Sequence, residues 1–334
     1  MRLLILGGTE FVGRAVTEGA LARGWDVTVF HRGRHAAPDG ARAVHGDRTT
    51  ADGFAALDAH AAHDGAWDAV VDTWSGAPRH VRDAARRLRE RAGAYAYVSS
   101  MSVYAYPGRA GSDESYPVVD GDPDADAVAY AEDKSGGELA AVDAFGAERT
   151  LLLRAGLILG PYENIGRLPW WLNRVARGGP VLAPGPRDAV IQYVDVRDLA
   201  EWTLDAVAAR RHGPYNLLCP RGHATMGDLL DACVDVAGAP DAQLRWAAPE
   251  DVVAAGIEPW EELPVWIPPG ELYDTVHDTS SAKAVGAGLS CRPLRETVRD
   301  TWGWLRSLGG EAPLRPDRRR VGLAASREAA FLAG

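Results

Sequence analysis

The chain has 334 residues, 46% of them apolar and 25% charged, with a net charge of −10 and a pI near 5.4. That length allows one large α/β unit or two smaller domains, and the acidic balance argues against a nucleic-acid partner held by a broad basic surface. No apolar run approaches a membrane span, the run Leu3–Leu6 is too short for a secretion signal, and three scattered cysteines (Cys219, Cys233, Cys291) show no metal spacing and suit a reducing cytoplasm.

The run from Arg2 to Leu6 reads as a buried strand of a parallel sheet. The glycine turn Gly7-Gly8-Thr9-Glu10-Phe11-Val12-Gly13 follows it, and a helix is expected from Phe11 to Arg23. Asp26 to Phe30 is the second strand. Strand, glycine turn, helix and strand make a βαβ unit whose turn presents N–H groups to a phosphate. Gly7 and Gly13 fit the first and last glycines of a Gly-x-x-Gly-x-x-Gly dinucleotide pattern, while Glu10 replaces the middle one. A carboxylate there must point away from the pyrophosphate or change its path.

His31-Arg32-Gly33-Arg34 follows the second strand, and no acid lies between Asp26 and Asp39. A carboxylate at that point would hold the 2′-hydroxyl of NAD, whereas an arginine suits the 2′-phosphate of NADP. NADP(H) is therefore favoured over NAD(H), with Arg32 the first candidate and Arg34 the second. The segment from Ala43 to Arg48 reads as a third strand ending in an acid, Asp47, which would meet the adenine amino group.

Trp67 to Asp72 is the fourth strand, with Thr73-Trp74-Ser75-Gly76 the loop at its carboxyl end. A helix from Pro78 to Arg91 is studded with arginine and reads as a solvated outer face. Ala94 to Val98 is the fifth strand, running out into Ser99-Ser100-Met101-Ser102-Val103-Tyr104. Ligands of open parallel sheets sit beyond the carboxyl ends of the strands, so these serines can donate to a reacting carbonyl. Ser99 and Ser102 serve equally well as turn or capping hydroxyls.

Only two of the 36 basic side chains are lysine, and one of them, Lys134, stands four residues after Tyr130. Lysine is a compact point charge that arginine does not replace. On a helix the pair shares a face, and the cation lowers the phenol's pKa. A tyrosine so placed can exchange a proton near neutral pH.

Together the motifs at 7–13, 97–104 and 130–134 resemble the extended short-chain dehydrogenases/reductases, the group of NAD(P)-dependent epimerases, dehydratases and reductases. Leu153-Arg154-Ala155-Gly156-Leu157-Ile158-Leu159-Gly160-Pro161 and the stretch Gln192 to Ala200 also match, in the family's order. The resemblance implies an α/β fold: a Rossmann-type doubly wound parallel sheet with a smaller C-terminal substrate-binding lobe. It implies Ser100 as the catalytic serine, Tyr130 as general acid/base, and Lys134 as the residue that tunes Tyr130 and binds the nicotinamide ribose. Cofactor contacts are expected from Gly7, Thr9, Glu10, Phe11, Val12, Gly13, His31, Arg32, Arg34, Asp47, Arg48, Thr73, Trp74 and Lys134. Arg154-Ala155 stands where the family commonly has Arg-Pro. The form of the glycine turn is similar to a branch that includes RNA-binding relatives and reductases of unsettled substrate.

From Gly160 the texture turns to proline and aromatics. The expected division is 1–160 for cofactor binding, with 188–220 returning to it, and 161–187 with 221–334 for the substrate. Tyr162, Asn164, Trp171 and Trp260 are the pocket candidates from this half, joined by Trp74, Ser100 and Ser102. Exposed aromatics in a cleft suit an apolar or ring-shaped substrate; they suit a lobe core equally. Arg187 and Arg197 are candidates for a nucleotide-sugar phosphate, although Arg197-Asp198 resembles a structural turn. Met226–Val236 and Pro293–Leu305 read as helices. The tail carries an arginine cluster, most simply a solvated face, and then an Ala-rich helix.

The leading reading is an NADP(H)-preferring oxidoreductase of a carbonyl/alcohol pair. The first alternative uses the same residues on a nucleotide-activated sugar, as an epimerase or dehydratase with no net redox change. The second, from another class, is a non-catalytic cofactor sensor or RNA-binding relative. The expected partner is a small molecule, with no nucleic acid and no membrane, and a homodimer is left open.

Overall fold

Leu3 to Leu6 are almost wholly shielded from solvent, because a parallel strand inside a doubly wound sheet is covered by helices on both faces. In the computed structural model residues 1–334 are described, the side chain of residue 64 excepted. The first half alternates strand and helix: β1 (Arg2–Leu6), α1 (Phe11–Ala22), β2 (Asp26–His31), β3 (Arg42–His45), α2 (Ala55–Asp64), β4 (Trp67–Asp72), α3 (Arg79–Leu88), β5 (Ala92–Ser100), α4 (Tyr130–Phe145) and β6 (Thr150–Ala155). The second half is more broken: β7 (Leu157–Leu159), α5 (Arg167–Ala176), β8 (Pro180–Pro184), β9 (Val190–Ile191), β10 (Tyr193–Asp195), α6 (Val196–Ala208), β11 (Gly213–Leu217), β12 (Ala224–Thr225), α7 (Met226–Ala237), β13 (Gln243–Ala247), α8 (Pro249–Ala254), α9 (Glu271–His277), α10 (Ala282–Gly286), α11 (Leu294–Ser307) and α12 (Ala325–Ala333).

Seven parallel strands form the main sheet in the order β11-β6-β5-β4-β1-β2-β3. The strand order reverses between β1 and β4, which opens a crevice at their carboxyl ends. α1 packs with α6 and α3 with α4, and two apolar clusters lie on opposite faces of the sheet. A third cluster, around Trp171 and Trp266, is built by α5, α7, α11 and the β8–β13 pair. No helix among the described residues is long and apolar enough to cross a membrane. β3 stops at His45, so Asp47 and Arg48 stand in a loop rather than on a strand. β5 is longer than the run of apolar residues suggests and carries Ser99 and Ser100 within it.

α4 comes unusually close to the sheet. Its interior holds Gly136 and Gly137, which weaken a helix by roughly 1 kcal/mol each relative to alanine. A Cβ on Gly137 would lie 2.5 Å from the Tyr97 hydroxyl, and one on Gly136 2.6 Å from the Asp122 carbonyl oxygen. Immediately after them, Glu138 grips β6: Arg154 donates to both its carboxylate oxygens at 2.9 and 2.8 Å, and Ser99 Oγ donates at 2.6 Å. Both charged side chains are buried. At the helix start, the Asp133 carboxylate accepts from Val128 N at 3.0 Å, which ties the chain entering the helix to its first turn.

Glu138→Gln leaves the Arg154 charge buried without its counter-ion. It is expected to lower the unfolding free energy by about 3–5 kcal/mol, measured by urea denaturation, whereas a loss below about 1 kcal/mol would show that the pair does not hold α4 in place.

Candidate active site

A cavity of about 1080 Å³ opens at the carboxyl ends of the strands. That lies at the upper end of the roughly 300–1,000 Å³ of small-molecule and cofactor sites, as a ligand of dinucleotide size requires. The glycine turn forms one wall. Gly7 has φ +97°, and a Cβ there would lie 2.4 Å from Thr73 Oγ1. A Cβ on Gly13 would lie 2.1 Å from the Gly7 carbonyl oxygen, so only glycine lets α1 start this close to β1. Thr9, Phe11, Val12 and Gly13 line the cavity, with Phe11 held at φ +34°. A helix N-terminus in that position suits a phosphate. Glu10 extends to His35, 3.4 Å away, and its side chain is 43% exposed, so the carboxylate has a way out of the phosphate path.

His31, Arg32, Arg34, Asp47 and Arg48 line the neighbouring wall. Gly33 N donates to His31 Nδ1 at 3.2 Å, so Nε2 carries the ring proton, and it is buried without a partner. Burial, then His45 and His35, hold the His31 pKa below its ordinary value. Asp47 accepts from Thr49 N and Oγ1 at 3.0 and 2.7 Å; these bonds, helped by Arg32 and Arg34, keep its pKa low. Arg48 stacks over Trp74 at 5.1 Å and donates to Asp72 at 3.0 Å. Its Nη2 is a second buried donor without a partner. Asp72 also accepts from Tyr95 Oη at 2.5 Å and Trp74 N at 3.0 Å. Thr73 Oγ1 donates to the Leu6 carbonyl at 3.0 Å, tying the β4 loop to β1. Orphaned donors beside a glycine cradle fit a bound dinucleotide.

Ser100, Ser102, Tyr130 and Lys134 line the same cavity. Ser100 Oγ caps the short turn after β5, accepting from Ser102 N at 3.1 Å and lying 3.1 Å from Ser102 Oγ. Tyr130 opens α4 and is 39% exposed. Lys134 is buried beneath it and donates to the carbonyls of Trp74 at 2.6 Å and Val98 at 2.7 Å. An ammonium has three donors, so one is left for a ligand. Burial is the chief cause that pulls the Lys134 pKa from 10.5 to about 7; Arg315 and Arg318 add to it, while Asp72 opposes.

From the second half, Asn164 and Trp260 line the cavity, as Trp74 does from the sheet side. Two expected pocket residues do not. Trp171 is fully buried, its indole N–H donating to the Pro264 carbonyl at 2.8 Å, because a large ring on the inner face of α5 fills that lobe's core. Tyr162 turns away at φ +68°, lying under the Arg14 guanidinium at 4.4 Å and against Trp304. Arg197 is spent on Asp195 and Asp300, and Arg187 pairs with Asp231. The tail cluster is not simply a solvated face: Arg315 and Arg318 line the cavity, and so does Arg167. Nothing local in the sequence sets these three apart from the other arginines, since their position depends on how the tail crosses the molecule.

The model of the NAD dependent epimerase/dehydratase family matches residues 3–217. Among solved structures, a putative epimerase from Burkholderia cenocepacia shares 22% identity at a TM-score of 0.67, over 92% of this chain and 98% of that one. A UDP-glucose 4-epimerase from Thermus thermophilus, solved with NAD, shares 21% at 0.63, over 92% and 99%. A dTDP-glucose 4,6-dehydratase from Bacillus anthracis, also with NAD, shares 14% at 0.63, over 94% and 100%. No curated protein matches the chain.

The depressed Lys134 pKa has a consequence for stability. Between pH 7 and 10.5 the unfolded chain binds a proton at Lys134 that the folded chain does not, so this group's destabilising effect is fully present below about pH 7 and fades as pH rises. The stability of the ligand-free protein relative to Lys134→Met should therefore rise through that window, by about 1.4 kcal/mol per pH unit. Urea denaturation of both proteins from pH 7 to 9 checks this; a pH-independent difference would contradict it.

Proposed function

The chain belongs to the NAD dependent epimerase/dehydratase family, and on that premise we propose that it epimerises or dehydrates a nucleotide-activated sugar without net redox change. The observation that carries the reading is that one cavity joins the glycine turn to Tyr130, Lys134 and Ser100. Net reduction is the leading reading from motifs alone, but the family match favours the redox-neutral chemistry.

A bound nicotinamide supplies the group that accepts a hydride and returns it. The protein's own residues handle the oxygen and its proton. Tyr130 Oη takes the proton of a substrate hydroxyl and later gives it back. Ser100 Oγ donates to the same oxygen and fixes its position. Lys134, one helical turn from Tyr130, favours the phenolate when it is charged and offers its free donor to the cofactor ribose. Trp74 and Trp260 present ring faces to the substrate, and Asn164 supplies a hydrogen-bonding edge. Of the fold's own devices, the glycine turn, the first turn of α1, His31 Nε2 and Arg48 Nη2 hold the cofactor.

One observation favours a second reading, net reduction with diffusible NADP(H). Arg32 and Arg34 both line the cavity after β2, with Asp47 from the next loop beside them; the two arginines also favour NADP(H) over NAD(H) for either chemistry.

Mass spectrometry of cofactor released from the purified protein, with turnover assayed without added cofactor, separates the readings. Retained cofactor and turnover of a UDP- or dTDP-sugar are expected; stoichiometric consumption of external NADPH would establish the reductase instead. Tyr130→Phe should lower kcat by about 10²- to 10⁴-fold while cofactor affinity stays within a few-fold. Full biological activity in that variant despite lost turnover would favour the non-catalytic class.

A further inference from the structure

An acidic chain with 46 carboxylates leaves Arg167 and Arg318, like Arg32, Arg34 and Arg109 elsewhere in the same cavity, without an ion pair among the described residues. Arg167 begins α5 and lies over the Trp260 ring at 5.0 Å. Its Nε is buried with no partner. The nearby Glu163 carboxylate is used by the helix N-terminus, accepting from Arg167 N at 2.6 Å and Leu168 N at 3.1 Å. Burial, the largest influence, holds the Arg167 guanidinium below its ordinary pKa, with Glu163 and Glu261 only partly offsetting it. Arg167 is half-buried, and a guanidinium N–H shut off from water without a partner is costly.

Arg318 reaches the same cavity from the tail. Its guanidinium lies 5.0 Å over the Tyr130 ring, and its one hydrogen bond is to Ser75 Oγ at 3.3 Å. Asp317, the nearest acid in sequence, is held by Arg315 through two bonds at 3.0 and 2.6 Å. The strap that carries Arg318 is fastened on both sides. Before it, Arg315 N donates to the Asn164 carbonyl at 3.0 Å. After it, Gly322 N donates to the Glu261 carbonyl at 2.7 Å, and a buried Arg174–Glu328 pair anchors α12. Arg318 itself is exposed, and the fastening on both sides limits where its backbone can go.

We propose that Arg167 and Arg318 form an anion clamp beside Tyr130, so that the substrate carries a carboxylate or phosphate close to the carbon that reacts. This deepens the proposed function and rests on it for the role of Tyr130. The planar guanidinium fork suits such an oxyanion, and Trp260 backs one side of the site. An anion there replaces the missing counter-charge for both arginines.

Calorimetric titration of the cofactor-loaded protein with glucuronate, inorganic phosphate and glucose tests the clamp. Glucuronate or phosphate should bind and glucose should not; which of the two anions binds identifies the source of the charge. Arg318→Met and Arg167→Met should each weaken the anion about tenfold or more, with Arg318→Lys in between. Should Arg167→Met unfold, the tail variants decide alone. Glucose binding as tightly as the better of the two anions, neither anion binding, or unchanged anion binding in Arg318→Met, would overturn the clamp. Anion binding should persist in Tyr130→Phe, which keeps this outcome separate from any failure of the catalytic assignment.

Discussion

The docking of α4 on β5 and β6 is the constraint on which the site depends. Glu138 and Arg154 are both buried and bonded through two contacts, with Ser99 as a third partner. Burying two charges is unfavourable unless geometry and hydrogen bonds offset the desolvation, so this pair acts as a register lock rather than as generic adhesion. The glycine pair just before it permits the close approach that the lock enforces. Lys134, between them and Tyr130, is thereby set against the carbonyls of Val98 and Trp74. Helix α4 thus gives up intrinsic helix propensity in exchange for a fixed position of its first turn.

The cavity joins two structurally different walls. The sheet side is regular, because parallel strands end together and their loops project from one edge. The far side is assembled from α5, the loop around Trp260 and the C-terminal strap. Electrostatics link the walls: Arg315 and Arg318 from the strap help depress the Lys134 pKa. A substrate anion that neutralises the strap would therefore also favour the charged form of Lys134. Occupancy of one wall and protonation of the other are coupled through space.

Side chains of the same type met opposite fates in the second half. Trp171 and Trp260 both lie in proline- and aromatic-rich stretches, yet one fills a core and the other faces the cavity. Tyr162 and Asn164 are two residues apart; a positive φ at Tyr162 sends its ring toward Arg14 and Trp304 while Asn164 stays on the cavity wall. Composition marks such a stretch as aromatic, but it carries no period from which to read which face is inward. Arg318 is harder still, since its role depends on 2 anchor points from segments far away in the chain, the Asn164 and Glu261 carbonyls.

The sequence by itself determined the alternation of strand and helix, the glycine turn, and the Tyr130–Lys134 pair, because these rest on local rules: side-chain period, steric freedom at glycine, and the helical turn that puts residues four apart on one face. It also placed Ser100 near a strand end. Tertiary structure alone decided which aromatics line the cavity, where Glu10 finds room, and that a tail cluster of arginines returns to stand over Tyr130. Those outcomes are set by contacts between distant segments, where burial and charge pairing, not neighbouring residues, choose the conformation. Lys134 is the point where both levels meet: its spacing from Tyr130 is local, but its shifted pKa is made by everything packed around it.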